Sequence, residues 1–236
     1  MTKTWISRAL FCALLIAPYT IANASTVVLY DTFGPNDYYS GKDSNSGFSA
    51  DVGRKATASP YQQSVANGFT ISSSLANITL DSIEVALGNP LNNIGGDVIT
   101  MTLHEDNLGA PRRPGRAIES FDIVLPEPYS KDIYTVSSTL NPVLTAGQDY
   151  WLIASAPDPI SQFGWAWNGL EPWGTYTGSQ LLYRSNTNTW DDRSRNGQQA
   201  FRIIASATMV PLPASAMLLL SSILCLFRFK TAGRER

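Results

Sequence analysis

The stretch between the two apolar termini of this chain contains no cysteine. The protein has only two, Cys12 and Cys225, and each lies in a terminal apolar segment. Residues 25–208 therefore cannot form a disulfide scaffold, a thiolate metal site or a cysteine nucleophile. Apolar burial must stabilise this part of the chain, and about 184 residues are enough to bury a sizeable core.

Histidine is almost absent as well, since His104 is the only one. Histidine-based zinc sites need two or three such ligands, so that class is excluded. A Ser-His-Asp triad is arithmetically possible, but no G-x-S-x-G elbow is present. We interpret His104 as a surface residue beside a turn. Two carboxylates for glycoside cleavage stay open, because their separation is a spatial property that no sequence feature selects.

Basic residues are scarce in the central part. Ser25–Thr208 carries 18 Asp and Glu against 11 Lys and Arg, a net charge of −7. Nucleic-acid binding needs clustered cations, so this class is excluded. One basic group, Arg112, Arg113 and Arg116, lies in a turn rich in proline and glycine, and we read it as a solvated loop.

Helical periodicity is also missing. Short apolar or alternating runs recur between Gly, Pro, Asn, Asp and Ser, which predicts about ten short strands. We expect an all-β domain over residues 25–208, an antiparallel, jelly-roll-like β-sandwich, with a seven-stranded barrel as the alternative. Gly34–Ala66 lacks periodicity and is expected to be a functional or poorly ordered loop. The predicted strands cover 26–30, 68–71, 78–87, 97–104, 118–125, 133–136, 150–155, 164–168, 180–183 and 200–205.

The N-terminus has the pattern of a secretory signal. Lys3 and Arg8 precede the apolar run Ala9–Ala17, which is too short to span a membrane. Ala22 and Ala24 are small residues at the positions that signal peptidase reads. We predict a signal peptide over residues 1–24, removed by signal peptidase, and hence an exported protein.

The C-terminus, residues 209–236, predicts a membrane segment. Met209–Phe227 is uncharged and just long enough for a single transmembrane helix. Because positive residues stay on the cytoplasmic side, the tail places the preceding domain outside. The protein would first be anchored in the inner membrane and then reach the cell surface or medium. The basic residues of the tail are Arg228, Lys230, Arg234 and Arg236.

Two resemblances follow from these motifs. Val210, Pro211, Leu212 and Pro213, the apolar span and the basic end together resemble the PEP-CTERM sorting tail of bacteria, with Val-Pro-Leu-Pro in place of Pro-Glu-Pro. That resemblance implies an exosortase-like processing enzyme as partner. A second set of motifs consists of Phe69 at the start of a strand, Leu80–Val85, Thr102–Pro111, Leu144–Leu152 and Gly164–Trp167. In this order, across residues 65–206, the chain resembles extracellular choice-of-anchor domains of type R, and the resemblance implies a β domain and no catalytic residues.

Aromatic and acidic side chains supply the candidate sites. Tryptophan and tyrosine in loops can stack on sugar rings, so we select Trp173, Tyr176 and Trp190 as ligand-binding candidates. Trp151, Trp165 and Trp167 are expected in the core. The acidic residues could form a calcium site, although we favour solvated surface acids. They are Asp31, Asp37, Asp43, Asp51, Asp191 and Asp192.

The function predicted from these features is that of an exported, non-enzymatic cell-envelope or matrix protein without a cofactor. Adhesion or association with exopolysaccharide would suit the loop aromatics. Three alternatives remain. They are a secreted glycoside hydrolase that uses two carboxylates, a carbohydrate-binding module stabilised by calcium, and a purely structural protein without a ligand.

Overall fold

The computed structural model shows an all-β protein built from antiparallel strands. It describes residues 25–42, 49–54, 62–71, 75–88, 98–108, 112–125, 131–158, 161–168, 179–193 and 198–209. This part contains thirteen strands and no helix, so none that could span a membrane. The strands are β1 Ser25–Asp31, β2 Ser49–Arg54, β3 Gln62–Thr70, β4 Leu75–Gly88, β5 Val98–Asp106, β6 Pro114–Val124, β7 Lys131–Ser137, β8 Val143–Leu144, β9 Asp149–Ser155, β10 Gln162–Ala166, β11 Gln180–Arg184, β12 Thr189–Asp192 and β13 Phe201–Met209.

Each of the ten predicted strands overlaps an observed one, whereas β2, β8 and β12 were not predicted. The expectation of a loop over Gly34–Ala66 is wrong in part, because β2 and the start of β3 lie within it. β2 could not be recognised in the sequence because most of its residues are polar or small. Val52 is its one fully buried apolar side chain. The seven-stranded alternative is wrong in strand number. β13 also includes Met209, where the membrane segment was predicted to begin.

The strands are joined by hydrogen bonds in an order far from that of the sequence. The main path runs β1-β13-β4-β10-β2-β3-β9-β5-β6. β7 and β8 also pair with β4, and β11 links β12 to β3. Consequently β3, β9 and β5 are neighbours although more than forty residues separate β9 from β5 in the chain.

Alternation along the strands places the core. In β5, Ile99, Met101 and Leu103 are fully buried while their neighbours are half-buried, as the predicted two-residue period requires. Ile83, Val85 and Leu87 of β4 form a second fully buried row. These rows belong to one large apolar cluster. It takes side chains from β13 and β4 and also from β3, β9 and β5.

Aromatic rings fill the centre of that cluster. Phe201 of β13 contacts Tyr30, Phe69 and Trp165 at centroid distances of 5.3, 6.0 and 5.9 Å. Trp165 is fully buried, and its Nε1 donates to the Ala200 carbonyl at 3.1 Å. The prediction that Trp151, Trp165 and Trp167 are core residues is confirmed, since all three are buried.

One buried carboxylate organises the turn after β7. Glu119 of β6 is 5% exposed and accepts hydrogen bonds from Ser138 Oγ (2.6 Å), Thr139 N (2.7 Å), Thr139 Oγ1 (3.1 Å) and Leu140 N (3.0 Å). Burial alone would raise the pKa of Glu119, but these donors outweigh burial and lower it. The charged form of Glu119 therefore fixes the chain reversal that leads into β8.

Candidate functional site

Of the three predicted ligand-binding aromatics, the structure describes only Trp190. Trp173 and Tyr176 lie outside the described residues, as do the signal cleavage residues Ala22 and Ala24, the Val210–Pro213 motif and the basic tail. The prediction that Trp190 lies in a loop is wrong, because Trp190 belongs to the short strand β12, which forms a hairpin with β11. It is half-buried and stands beside the Tyr183 ring at a centroid distance of 5.3 Å.

The register of the strands shows which side chains share a face with Trp190. In antiparallel pairs, directly opposed residues point to the same side of the sheet. Trp190 opposes Tyr183 in β11, and Leu181, two residues before Tyr183, opposes Ala66 in β3. Ala66 in turn opposes Ile153 in β9. These residues therefore lie on one surface, which we call the outer face because it points away from the large apolar cluster.

Trp151 continues the outer face toward β5. Gly68 of β3 opposes Trp151, and Trp151 opposes His104. A Cβ atom at Gly68 would lie 3.2 Å from Trp151 Cζ3, so the missing side chain leaves room for the indole to pack closely against this glycine. A second, smaller apolar cluster lies on this face, and the half-buried Trp190 packs against it. The buried members of the cluster are Ala66, Trp151, Ile153 and Leu181.

Two adjoining cavities open on this cluster. The first, about 150 Å³, lies under Trp190, and the second, about 170 Å³, lies toward β1. They share Arg112, Trp151 and Ser179, and together we call them the tryptophan groove. The first is also lined by Arg113, Leu181, Trp190 and Asp192, and the second by Tyr30, Gly68, Phe69, Thr70, Asp106, Asp149 and Tyr150.

The size of the groove favours open binding over an enclosed reaction chamber. Pockets that enclose a small molecule usually measure about 300–1,000 Å³. Each cavity here is below that range, and the two together only reach its lower end. A shallow groove of this kind suits a polymer whose units lie along the surface one after another.

Polar groups of the groove are held in place by each other. Trp151 Nε1 donates to Asp106 Oδ1 at 2.6 Å, and Arg112 pairs with Asp149 Oδ2 at 2.8 Å. Thr70 Oγ1 also donates to Asp149. The Asp106 and Asp149 carboxylates thus accept hydrogen bonds and are preorganised as acceptors next to the Trp151 ring.

Arg113 differs from the other arginines of its turn. The turn is closed by a 2.8 Å hydrogen bond from Asn107 N to the Arg113 carbonyl. Arg112 pairs with Asp149, and Arg116 pairs with Glu105 at 2.6 Å. Within the described part of the chain, the exposed Arg113 has no ion-pair partner. Arg112 and Arg113 are exposed, as expected of a solvated loop, and both also line the groove wall.

The acidic residues considered for calcium are engaged elsewhere. Arg202 pairs with Asp31 at 2.8 Å, with Asp37 at 2.5 Å and with Glu84 at 2.7 Å, and its guanidinium lies over the Phe33 ring. The hydrogen bond from Arg202 lowers the pKa of Asp37. Asp31 and Asp37 are thus exposed, as expected of surface acids, and both are ion-paired with Arg202.

Among the described residues, the remaining acids do not gather into a metal site either. No group of three metal-ligating side chains exists among the residues that the structure describes. Asp191 pairs with Arg184 at 3.6 Å. Asp43 lies outside the described residues. His104 Nδ1 is 2.9 Å from the Gly115 carbonyl, next to an irregularity in the β5–β6 pairing, which agrees with its interpretation as a residue beside a turn.

Sequence reasoning selected Trp190 but missed its neighbours. Three of these neighbours come from the β5–β6 hairpin, namely Asp106, Arg112 and Arg113, and Asp149 begins β9. Trp151 was assigned to the core alone. Their convergence depends on β9 pairing between β3 and β5, which no local pattern indicates. No family model, curated protein or solved structure matches this chain.

Proposed function

We propose that this chain is an exported cell-envelope protein whose β domain binds polysaccharide without cleaving it. The observation that carries the proposal is the tryptophan groove. The half-buried Trp190 lines one cavity of the groove with Arg113 and Trp151, and Asp106 lines the adjoining cavity with Trp151. Aromatic faces stack on sugar rings, and fixed carboxylates and guanidinium groups bind sugar hydroxyls.

The groove suits a polysaccharide better than it suits other classes of ligand. Nucleic acid is disfavoured by a net charge of −7 over Ser25–Thr208. An enclosed small molecule is disfavoured by cavities of only about 150 and 170 Å³. Sugar polymers bind shallow surfaces that combine aromatic rings with hydrogen-bonding groups, which is what the outer face offers.

We further propose a jelly-roll-like β-sandwich as the architecture. Support comes from the burial pattern, because two sets of strands direct side chains into the same apolar cluster. Val65 and Leu152 come from the β3-β9-β5 part of the path, and Ile83 and Ile203 come from the β13-β4 part. Two layers that share one core are what packed sheets produce.

The export part of the proposal rests on the two terminal segments of the sequence. Removal of residues 1–24 by signal peptidase and recognition of Val210–Pro213 by an exosortase-like enzyme would place the domain at the cell surface or in the medium. Mass spectrometry of the protein recovered from surface, medium and cytosol tests this. We expect a mature N-terminus near Ser25 and no full-length protein in the cytosol. Full-length protein dissolved in the cytosol would contradict export.

Binding is tested with the full chain on a glycan array and by exopolysaccharide pull-down. Trp190→Ala should lose most of the signal, since stacking on one ring is worth about 1–3 kcal/mol by analogy with base stacking. Leu140→Ala is the matched control, because it removes an exposed apolar side chain outside the groove. Equal binding by Trp190→Ala and Leu140→Ala would contradict the proposal.

The same samples test the hydrolase alternative. Asp106 and Asp149 lie in one groove wall, which is the observation that keeps it open. Release of reducing sugar ends from the polymers that bind would establish cleavage and replace our proposal. Bound polymers that keep their length support a binding protein.

A further inference from the structure

We infer that the tryptophan groove selects a polysaccharide with isolated carboxylated sugars, that is, uronate residues separated by neutral ones. The inference rests on the proposed function and names its ligand class. It comes from one juxtaposition in the first cavity, where Arg113 lies in the same wall as Trp190.

Arg113 supplies the charge for this recognition. Arg112 is already neutralised by Asp149, with a 2.8 Å ion pair. Arg113 has no ion-pair partner within the described residues, and its exposed guanidinium borders the same cavity. A guanidinium binds a carboxylate through two parallel N–H···O bonds, which makes it a better reader of a uronate than of a hydroxyl.

Trp190 supplies the matching platform. A uronate carries its carboxylate on the edge of the pyranose ring, so a ring stacked on an indole directs its charge sideways. Arg113 and Trp190 line one cavity of about 150 Å³, with Trp151 and Leu181 forming the apolar base. One sugar ring on Trp190 can therefore present its carboxylate toward Arg113 while its apolar face covers the indole.

The neighbouring acids limit how many charges the groove accepts. Asp192 borders the first cavity, and Asp106 and Asp149 border the second. Asp149 is paired with Arg112, whereas Asp106 accepts only the neutral Trp151 N–H among the bonds described here and keeps its negative charge. A second uronate next to the first would meet carboxylates at short range, which is unfavourable. Carboxylated sugars separated by neutral units avoid this repulsion.

Calorimetry of the full chain with three matched ligands tests the inference. They are an octasaccharide that alternates glucuronate with N-acetylglucosamine, its carboxyl-reduced neutral counterpart, and an oligomer of galacturonate alone. We expect the alternating ligand to bind about tenfold more tightly than the reduced one, as one charge-assisted pair allows. The fully acidic oligomer should bind more weakly than the alternating one.

Variants distinguish Arg113 from a general charge effect. Arg113→Gln should abolish the difference between the alternating ligand and its reduced form. Arg116→Gln is the matched control, because it removes the same charge from an arginine that pairs with Glu105 outside the groove, and it should keep the tenfold difference. Salt offers a second readout on the unaltered protein, since about 0.5 M salt should weaken only the charged ligand.

The outcomes separate the two proposals. Equal affinity for the alternating and reduced ligands, or a preference that survives in Arg113→Gln, overturns the uronate inference and leaves polysaccharide binding standing. Tightest binding of the fully acidic oligomer also overturns it. Failure of all three ligands, and of the wider glycan array, overturns both. Free glucuronate that competes as well as the octasaccharide would show a carboxylate site without a polymer groove and contradict the inference.

Discussion

Replacing Glu119 with alanine should destabilise this protein more than its single charge suggests. The carboxylate accepts four hydrogen bonds, two of them from the backbone N–H groups of Thr139 and Leu140. Hydrogen bonds to a charged group are each worth about 1.5–3 kcal/mol. Residues 139 and 140 are exposed, so water replaces part of this loss. We expect Glu119→Ala to lower the free energy of unfolding by about 3 kcal/mol.

Glu119→Gln separates shape from charge and adds a pH dependence. The amide oxygen of the glutamine can still accept the hydrogen bonds from the Thr139 and Leu140 N–H groups. We therefore expect the free energy of unfolding to fall by only about 1 kcal/mol at pH 7. Because the fold lowers the pKa of Glu119, its contribution is complete above the unfolded value of 4.5 and is lost as the pH falls through the folded value. The stability difference between wild type and Glu119→Gln should therefore shrink in acid.

Urea unfolding of the full chain, followed by tryptophan fluorescence, measures both effects at about pH 7 and pH 3. Glu105→Ala is the control, because its carboxylate is half-exposed and pairs with the exposed Arg116. Such pairs contribute about 0–1 kcal/mol. An effect of Glu119→Ala no larger than that of Glu105→Ala, or a glutamine effect that is the same at both pH values, would refute the reasoning.

Three further predictions use the same assays. Gly53→Ala should lower the free energy of unfolding by more than about 2 kcal/mol, because φ at Gly53 is +91° and the new Cβ would lie 2.1 Å from the Ser161 carbonyl oxygen. Gly115→Ala, whose new Cβ would have its closest contact at 3.2 Å, should lower it less, and an equal loss in both variants would contradict this. Arg202→Met should cost about 1–3 kcal/mol in urea unfolding, since three carboxylates lose their partner; an unchanged midpoint would contradict the role of this cluster. Removing divalent metals with EDTA should leave Tm unchanged, because Arg202 occupies Asp31 and Asp37; a fall of more than about 5 °C would indicate a structural ion.

The fold class could be predicted because burial follows a simple period in several strands. Ile99, Met101 and Leu103 alternate with polar residues in the sequence and are fully buried in the structure. β2 could not be predicted in the same way, since it is stabilised by pairing with β3 and β10 and has little apolar surface of its own. Local patterns record a strand only where the strand itself buries an apolar row.

The site was less accessible to sequence reasoning than the fold. Trp190 could be selected because an aromatic residue in a polar hairpin is unusual. Its partners could not, because Arg113 and Trp151 are distant in sequence and meet only through the register of β3, β9 and β11. Strand order is set by long-range packing, which the local alternation of side chains does not encode.

The indole N–H signals of the tryptophans give the most direct test of the groove. NMR spectra of the full chain, labelled with ¹⁵N and assigned by single Trp→Phe variants, would be recorded during titration with the glycan that binds most tightly. We expect the signals of Trp190 and Trp151 to shift, while those of the buried core residues Trp165 and Trp167 stay in place. A ligand that binds and leaves Trp190 and Trp151 unmoved would show that polysaccharide is held elsewhere and that the tryptophan groove is not the binding site.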